Sequence, residues 1–438
     1  MKNTSECWGI IGGGILGMTL AYRLAQKGFK ITLFEAATHL GGLASAWRLG
    51  DIIWDRHYHV TLLSDTYLRN ILAEIELEKD IEWVETKTGF YSNGQLYSMS
   101  NSVEFLKFPP LGLIDKLRLG LNIFYASKIK DWKQLEKSLV EDWLRKWSGN
   151  NTFEKIWLPL LRAKLGDTYT DASAAFIWAT IQRMYAARRT GLKKEMFGYV
   201  PGGYATILEC FAQKLKEIGV EICTQYAAKR ITPSTNSTVS VEFHNGSKEE
   251  LSNLILTIPS PIITTICTDL DENELSKLNN IQYLGVVCAS LLLKKPLSPY
   301  YVTNITDSGL PFTGVIEMSA LVDKDKYLGG NHLVYLPKYV TPNDRIFSLS
   351  DEEIENSFFS ALQKMYQHLT KDDIVAFRIS RARYVFALST LNYSDNLPPI
   401  KTSIPGLYVI NSAHIVNGTL NVNETIQLAE KALNQIIN

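Results

Sequence analysis

Apolar residues recur along this chain with two different periods. Residues 7–11 form a short continuous apolar run, the pattern of a strand buried on both faces, and from Ile15 the spacing turns helical through Leu16, Leu20 and Leu24. Gly28 ends that helix, and residues 30–34 return to strand character and finish at Glu35. Further strands are expected at 52–54, 286–293, 313–318 and 332–336, with a strand pair across 219–231. Helices are expected at 172–187, from Tyr204 to Ile218, and at 422–436, where Ile426, Leu433 and Ile436 take apolar positions.

The first turn carries the most specific chemistry. In Gly12-Gly13-Gly14-Ile15-Leu16-Gly17, Gly12 permits the tight turn, Gly14 lets backbone amides approach a pyrophosphate, and Gly17 lets helix pack on strand. The diphosphate meets the positive end of the helix, which makes Gly12, Gly14, Ile15, Leu16 and Gly17 candidate phosphate contacts. Glu35 stands 18 residues past Gly17, where an acid accepts from a ribose, with Ala36 beside it; a carboxylate there disfavours the 2'-phosphate of NADP. A signal peptide is the rival for residues 8–25, but it would leave the glycines and the following strand unexplained.

Length and charge narrow the rest. At 438 residues, two domains are expected. Lys plus Arg (45) equals Asp plus Glu (45), so no global field draws the chain to nucleic acid. Five scattered cysteines without a Cys-x-x-Cys pair suggest reduced thiols, a cytoplasmic-type compartment and no metal site.

After the second strand comes His39-Leu40-Gly41-Gly42-Leu43-Ala44-Ser45. From Gly12 to Ser45 the chain resembles the FAD-dependent amine oxidase superfamily, which includes protoporphyrinogen oxidases and phytoene-type desaturases. Loose matches follow at 113–119, at Trp157-Leu158-Pro159-Leu160-Leu161 with Lys164 and Gly166, at Tyr199-Val200-Pro201-Gly202-Gly203-Tyr204, at 254–259, which resembles the strand leaving the cofactor domain, and at Pro405-Gly406-Leu407-Tyr408-Val409, which resembles the closing strand. The resemblance implies FAD as cofactor. It places Gly42, Leu43 and Ala44 near phosphates and ribityl chain, Ala228 at the adenine, and the segment Leu420, Asn421, Val422 at the helix that faces the flavin pyrimidine. Where the family has Gly and an acid after the closing strand, this chain has Asn411-Ser412, a neutral substitute. The lysine that amine oxidases place near flavin N5 is replaced by Cys288, with Lys294 and Lys295 nearby.

Asp55-Arg56-His57-Tyr58-His59 resembles the family's loop under the isoalloxazine and leaves three readings: a metal pair, a hydrogen-bonded structural histidine, or His59 as a flavin-facing catalytic residue. Arg183, Arg188, Arg189, Lys193 and Lys194, and separately Arg378, Arg381 and Arg383, read either as solvated cations or as clamps for substrate anions. Arg383 and Tyr384 are the candidates to reach the cofactor. Residues 105–130 mix large apolar residues with Lys107, Lys116, Arg118 and Lys128, which fits packing inside a domain or a peripheral membrane contact.

The expected architecture is an α/β, discontinuous Rossmann-type FAD-binding domain (1–62, 199–262, 385–438) with an interleaved α+β substrate domain (63–198, 263–384), helical over 66–192 and strand-rich from Ile281. The function implied is hydride removal from a small-molecule C–H, the substrate being anionic or lipophilic, to flavin N5. The alternatives are a non-redox flavoenzyme acting on a nucleotide sugar, like UDP-galactopyranose mutase, and a flavin-binding protein without turnover.

Overall fold

The computed structural model describes residues 6–187, 195–234 and 238–437. The opening pattern folds as its periods dictate: β1 (Cys7–Ile11), α1 (Ile15–Gln26) and β2 (Lys30–Glu35) follow one another. A five-stranded, fully parallel sheet has the spatial order Glu221–Thr224, β2, β1, Asn253–Leu256, Leu407–Val409. Its strands come from the start, the middle and the end of the chain, so the domain is discontinuous.

One face of this sheet is covered by α1 and the helices Gly203–Glu217 and Val422–Ile437. The other is covered by an antiparallel sheet (Ala228–Pro233, Val239–Phe243, Lys248–Leu251) and two short helices, Ser260–Ile266 and Glu272–Asn279. The expected strand pair at 219–231 is therefore two strands of different sheets. Gln225, at φ +64°, turns the chain between them, and Gln225 and Tyr226 donate their backbone N–H to Ala37 and Glu35 carbonyls.

The second sheet has seven strands, in the order Ile374–Ala387, Tyr283–Leu293, His332–Val340, Gly314–Glu317, Val302–Ile305, Thr88–Ser92, Gln95–Ser98. The last two correct the expectation of an all-helical stretch over 66–192. They form a hairpin about Asn93-Gly94, both at positive φ, and Asp307 accepts from both turn amides at 2.6 and 2.7 Å. The helices of that stretch, among them Leu113–Ala126, Val140–Ser148, Leu158–Leu165 and Ala174–Ala187, build their own core.

Packing also moves the expected domain boundaries. Helix Thr66–Glu74 buries Leu68, Ile71 and Leu72 with α1 and the C-terminal helix, and Ser260–Asn279 packs under the parallel sheet, so both belong to the nucleotide-binding core. Helix Thr66–Glu74 lacks a cap from its own N-cap residue: Asp65 accepts instead from Leu62 N and from both terminal nitrogens of Arg183. Asn423 Oδ1, from the far end of the chain, takes the Tyr67 and Leu68 amides at 3.0 and 3.2 Å. Asn423→Ala should lower stability by about 1–2 kcal/mol, the value of a lost helix cap, whereas Asn423→Asp retains the acceptor; unfolding of the two variants checks it.

Candidate cofactor and active site

Two glycine loops build the cradle. Gly12 has φ +111°, and a Cβ there would lie 2.4 Å from Thr257 Oγ1; a Cβ on Gly17 would lie 1.9 Å from the Gly12 carbonyl oxygen. Gly41 donates its N–H to the Gly13 carbonyl at 2.8 Å, which lays Gly42 against Gly14. Gly14 differs from its neighbours: its backbone is ordinary extended chain, and a Cβ on it would meet only Gly42 Cα, at 4.0 Å. Open space thus lies beside the start of α1, a helix with no side-chain cap and no acid in its first turn. The free amides of Ile15, Leu16 and Gly17 and the helix dipole suit a diphosphate.

Glu35 closes the far side. Its two carboxylate oxygens accept from Gly13 N and Ala37 N, both at 2.7 Å, which aims the group and leaves further lone pairs for a ribose hydroxyl. Ala36 is exposed at this rim. The bonds from Gln225 and Tyr226 to Ala37 and Glu35 bring the Ala228 segment to the same edge. The residues present fit the adenosine diphosphate half of FAD.

The closing segment is arranged otherwise than the sequence suggests. Asn411 is 1% exposed; its Nδ2 donates to the Ile258 carbonyl (3.0 Å) and to Ser260 Oγ (3.1 Å), and its Oδ1 accepts from Ala413 N (3.1 Å). That side chain ties the last strand to the exit of Asn253–Leu256, and Ser412 is the half-buried member of the pair. Asn421 Oδ1 accepts from Glu424 N at 3.0 Å and so caps the C-terminal helix, with Val422 buried in the nucleotide-binding core and Leu420 packed towards the helical one.

The histidine loop is anchored at both ends. Asp55 Oδ1 accepts from Tyr204 N at 2.7 Å, joining this loop to the Gly202-Gly203 turn, and burial pushes the carboxyl up to about 8. His57 donates from Nδ1 to the Leu43 carbonyl (3.0 Å), so Nε2 accepts from Ser380 Oγ (3.0 Å). Burial lowers it to about 4. His57 is a neutral strut between the second glycine loop, with Gly42, Leu43 and Ala44, and the seven-stranded sheet. His59 lies 3.9 Å from Asp55 Oδ2, too far for a hydrogen bond, and 4.7 Å from the Tyr204 ring; burial, then His57, hold it at about 3. His59 Nδ1 and Tyr204 Oη are both buried without a partner, on a small cavity shared with Trp54 and Met318. Among the described residues no cluster of three His, Cys, Asp or Glu side chains could hold a metal ion.

Strand Ile374–Ala387 is bulged opposite Gly285, where its register with Tyr283–Leu293 shifts between Ala382 and Phe386, and within that bulge the two remaining catalytic candidates have different surroundings. Tyr384 packs edge-on against Tyr283 in a cluster with Ala413, beside the closing segment. Arg383 is exposed on the other face, donating to the Pro342 carbonyl at 2.6 Å over the Phe347 ring, so a catalytic place for Arg383 is withdrawn. Arg381 is paired with Asp351 (2.6 Å), Arg378 covers Trp47 and donates to the Arg48 carbonyl, and Arg183 is held by Asp65. Arg188, Arg189, Lys193 and Lys194 lie outside the described residues. Cys288 is fully buried, its thiol pushed up by burial, and Lys294 and Lys295 are exposed beyond the strand end.

Sequence reasoning missed a group deeper inside. Tyr58 and Tyr339 share a hydroxyl–hydroxyl bond of 2.9 Å, and Lys164 Nζ sits 3.4 Å from the Tyr339 ring centroid. Lys164 stands in the Trp157–Gly166 match, three residues after the buried Leu161, and that spacing was the available clue.

The two glycines of the cradle separate folding from binding. Gly17→Ala should destabilise the protein by roughly 1–3 kcal/mol or more, since backbone must move. Gly14→Ala should keep the unfolding temperature of the flavin-free protein and lose most of its FAD; thermal unfolding and the flavin content of purified protein distinguish the two.

The flavin containing amine oxidoreductase profile matches residues 17–431. The 15-cis-phytoene desaturase of Glycine max is 20% identical over 378 residues, 82% of this chain and 65% of that one. The 1-hydroxycarotenoid 3,4-desaturase of Flavobacterium sp. (strain P99-3) is 21% identical, over 55% of this chain and 54% of its own. The chain thus spans less than two thirds of the length of these curated relatives. Among solved structures, a candidate protoporphyrinogen oxidase from Exiguobacterium sp. 255-15 superposes with a TM-score of 0.76 at 18% identity, covering 99% of this chain and 98% of that one, which is a likeness of fold. With that profile running from Gly17 through the second glycine loop and the histidine loop into the closing helix, the chain belongs to the flavin containing amine oxidoreductase family, with FAD as its cofactor.

Proposed function

We propose that this chain is an FAD-dependent oxidase or desaturase that removes hydride from a C–H bond of a lipophilic substrate taken up at a membrane surface. The observation that carries the reading is the polarity of helix Leu113–Ala126. Lys116, Leu119, Asn122 and Ala126 face inward and are buried, while Leu113, Ile114, Leu117, Leu121 and Phe124 are each more than half exposed. A helix packed on a water-soluble core has the opposite arrangement. Two of the inward polar donors have partners, Lys116 Nζ donating to the Leu106 carbonyl and Asn122 Nδ2 to Ser148 Oγ, both at 2.7 Å, while Asn122 Oδ1 is buried without one.

Val103 and Leu106 extend the patch, so two neighbouring helices carry eight of the thirteen exposed large hydrophobic side chains among the described residues. Exposed Lys107, Arg118 and Lys128 flank it, which suits an anionic bilayer. No helix among the described residues is long and apolar enough to cross a membrane, so the contact proposed is interfacial.

When bound, FAD would supply a two-electron acceptor for the hydride; the proton from the adjacent carbon would pass to solvent as the double bond forms, and an external acceptor would restore the oxidised cofactor. The chain's own residues position and insulate. The α1 amides hold the diphosphate and Glu35 the ribose. His57 locks the second glycine loop to Ser380, and the C-terminal helix turns its positive end towards developing negative charge. We assign His59 and Tyr384 to the chamber wall, where an uncharged imidazole suits a reaction that leaves positive charge on the substrate. A sugar-nucleotide reaction needs free cations for a diphosphate, and the described members of both arginine clusters already have protein partners.

Anaerobic addition of a polyene or porphyrinogen in detergent should bleach the flavin of the FAD-loaded protein. Conversion of a sugar nucleotide only after prior reduction, or a flavin that no substrate class reduces, would overturn the reading. Separately, the protein should co-sediment with phosphatidylglycerol vesicles, and Leu117→Glu with Leu121→Glu should weaken this at least about tenfold, since each leucine withdrawn from an apolar phase costs roughly 1.5–3 kcal/mol. Unchanged sedimentation would refute the membrane contact.

A further inference from the structure

Helix Leu158–Leu165 turns Leu161 and Leu165 into the helical core. Lys164 lies between them and is drawn inward too. Its ammonium nitrogen stands 3.4 Å from the ring centroid of Tyr339 and 5.2 Å from that of Phe386. Among the described residues no carboxylate pairs with it, and burial alone lowers its pKa to about 7. Yet the residue keeps accessible surface. Part of this side chain is therefore within reach of a ligand. The Tyr339 hydroxyl is engaged with Tyr58 in the histidine loop, and Tyr339 and Phe386 pack in the cluster that receives Leu420 from the closing segment. Lys164 therefore faces the region between the histidine loop and the segment that leads into the C-terminal helix.

A cation set against aromatic rings without an anion keeps only their weak attraction, and a methionine would fill the same space without the cost of desolvating a charge. We propose that Lys164 is an anion-binding subsite of the substrate chamber, pairing with a carboxylate on an otherwise apolar substrate whose body lies along Tyr339 and Phe386. The proposal deepens the functional reading above and rests on it for the identity of the chamber. A carboxylate recruits the proton that burial removes, so binding takes up a proton above about pH 7 and weakens as pH rises. The titratable groups on the elements packed against this helix are His332, Tyr335, Lys338 and Tyr339 on strand His332–Val340, Glu154 and Lys155 before it, and Asp167, Tyr169 and Asp171 after it; Arg162 shares its helix, and Tyr384 shares the strand of Phe386.

The test is calorimetric titration of the FAD-loaded protein with decanoate and with decanol, at about pH 6 and about pH 8. The natural chain should bind decanoate more tightly at the lower pH, with proton uptake at the higher. Lys164→Met should weaken decanoate at least about tenfold, leave decanol unchanged, and raise the unfolding temperature because an unpaired buried cation is gone. Lys164→Arg, whose charge does not titrate, should bind decanoate with a flat pH dependence. Equal binding of acid and alcohol by the natural chain, undiminished decanoate binding by Lys164→Met, or a lowered unfolding temperature in that variant would each overturn the subsite. Flavin content and anaerobic bleaching of the same samples report on the oxidoreductase reading alone, so failure of one is distinguishable from failure of the other.

Discussion

A Cβ on Gly17 would come within 1.9 Å of the carbonyl oxygen of Gly12, and most of the molecule depends on the close contact this glycine allows. It lets α1 start directly over the end of β1, so that its unpaired amides point into the gap beside Gly14 and not into protein. The second glycine loop can then lie on the first, through Gly41 N to Gly13 O, and carry Leu43 to where His57 holds it. His57 reaches Ser380 on the seven-stranded sheet, and Asp55, two residues earlier, holds the start of helix Gly203–Glu217. One backbone contact thereby sets the relation between the nucleotide-binding core and the sheet that walls the chamber.

What was legible in the sequence follows from this. Positions where backbone approaches backbone admit only glycine, and a carboxylate that must meet two amides leaves an acid at a fixed distance, so the cradle from Gly12 to Glu35 is written in residue types. The chain also displays a hairpin at Asn93-Gly94, a turn chemistry as strong as any in it, which the helical reading of its surroundings passed over. Arg383 was beyond reach for another reason. Arginine and tyrosine side by side at a strand bulge give no alternation to read, and only their contacts, Arg383 with Pro342 and Phe347 and Tyr384 with Tyr283, separate them. Asn411 could be placed at the right turn, but its side-chain partners, Ile258 and Ser260, are about 150 positions away in sequence.

The chamber's electrostatics share one cause. Asp55 is pushed up while His57, His59 and Lys164 are pushed down, in every case chiefly by removal from water and not by an opposing charge. Burial therefore moves each of these groups towards its neutral form. An interior that neutralises its own acids and bases holds little charge to attract water or to bias a proton, and it suits a reaction whose electrons go to a cofactor. Cys288, in the middle of the sheet where a lysine would bring a cation, continues the same pattern.

Set against that neutral interior, Lys164 and helix Leu113–Ala126 make complementary demands on a substrate. The helix exposes an apolar face that water disfavours, and under the proposed membrane contact a bilayer would cover it and favour molecules partitioned into lipid. Lys164, alone against two aromatic rings, is indifferent to a purely apolar molecule and favourable only towards one that brings an anion. A hydrocarbon with a single acidic end satisfies both demands at once, because its body needs no polar partner along Tyr339 and Phe386 and its charge supplies the counterion the protein omits. A free sugar nucleotide meets neither demand, since it has no apolar body for the outer face and more negative charge than one half-titrated amine can balance.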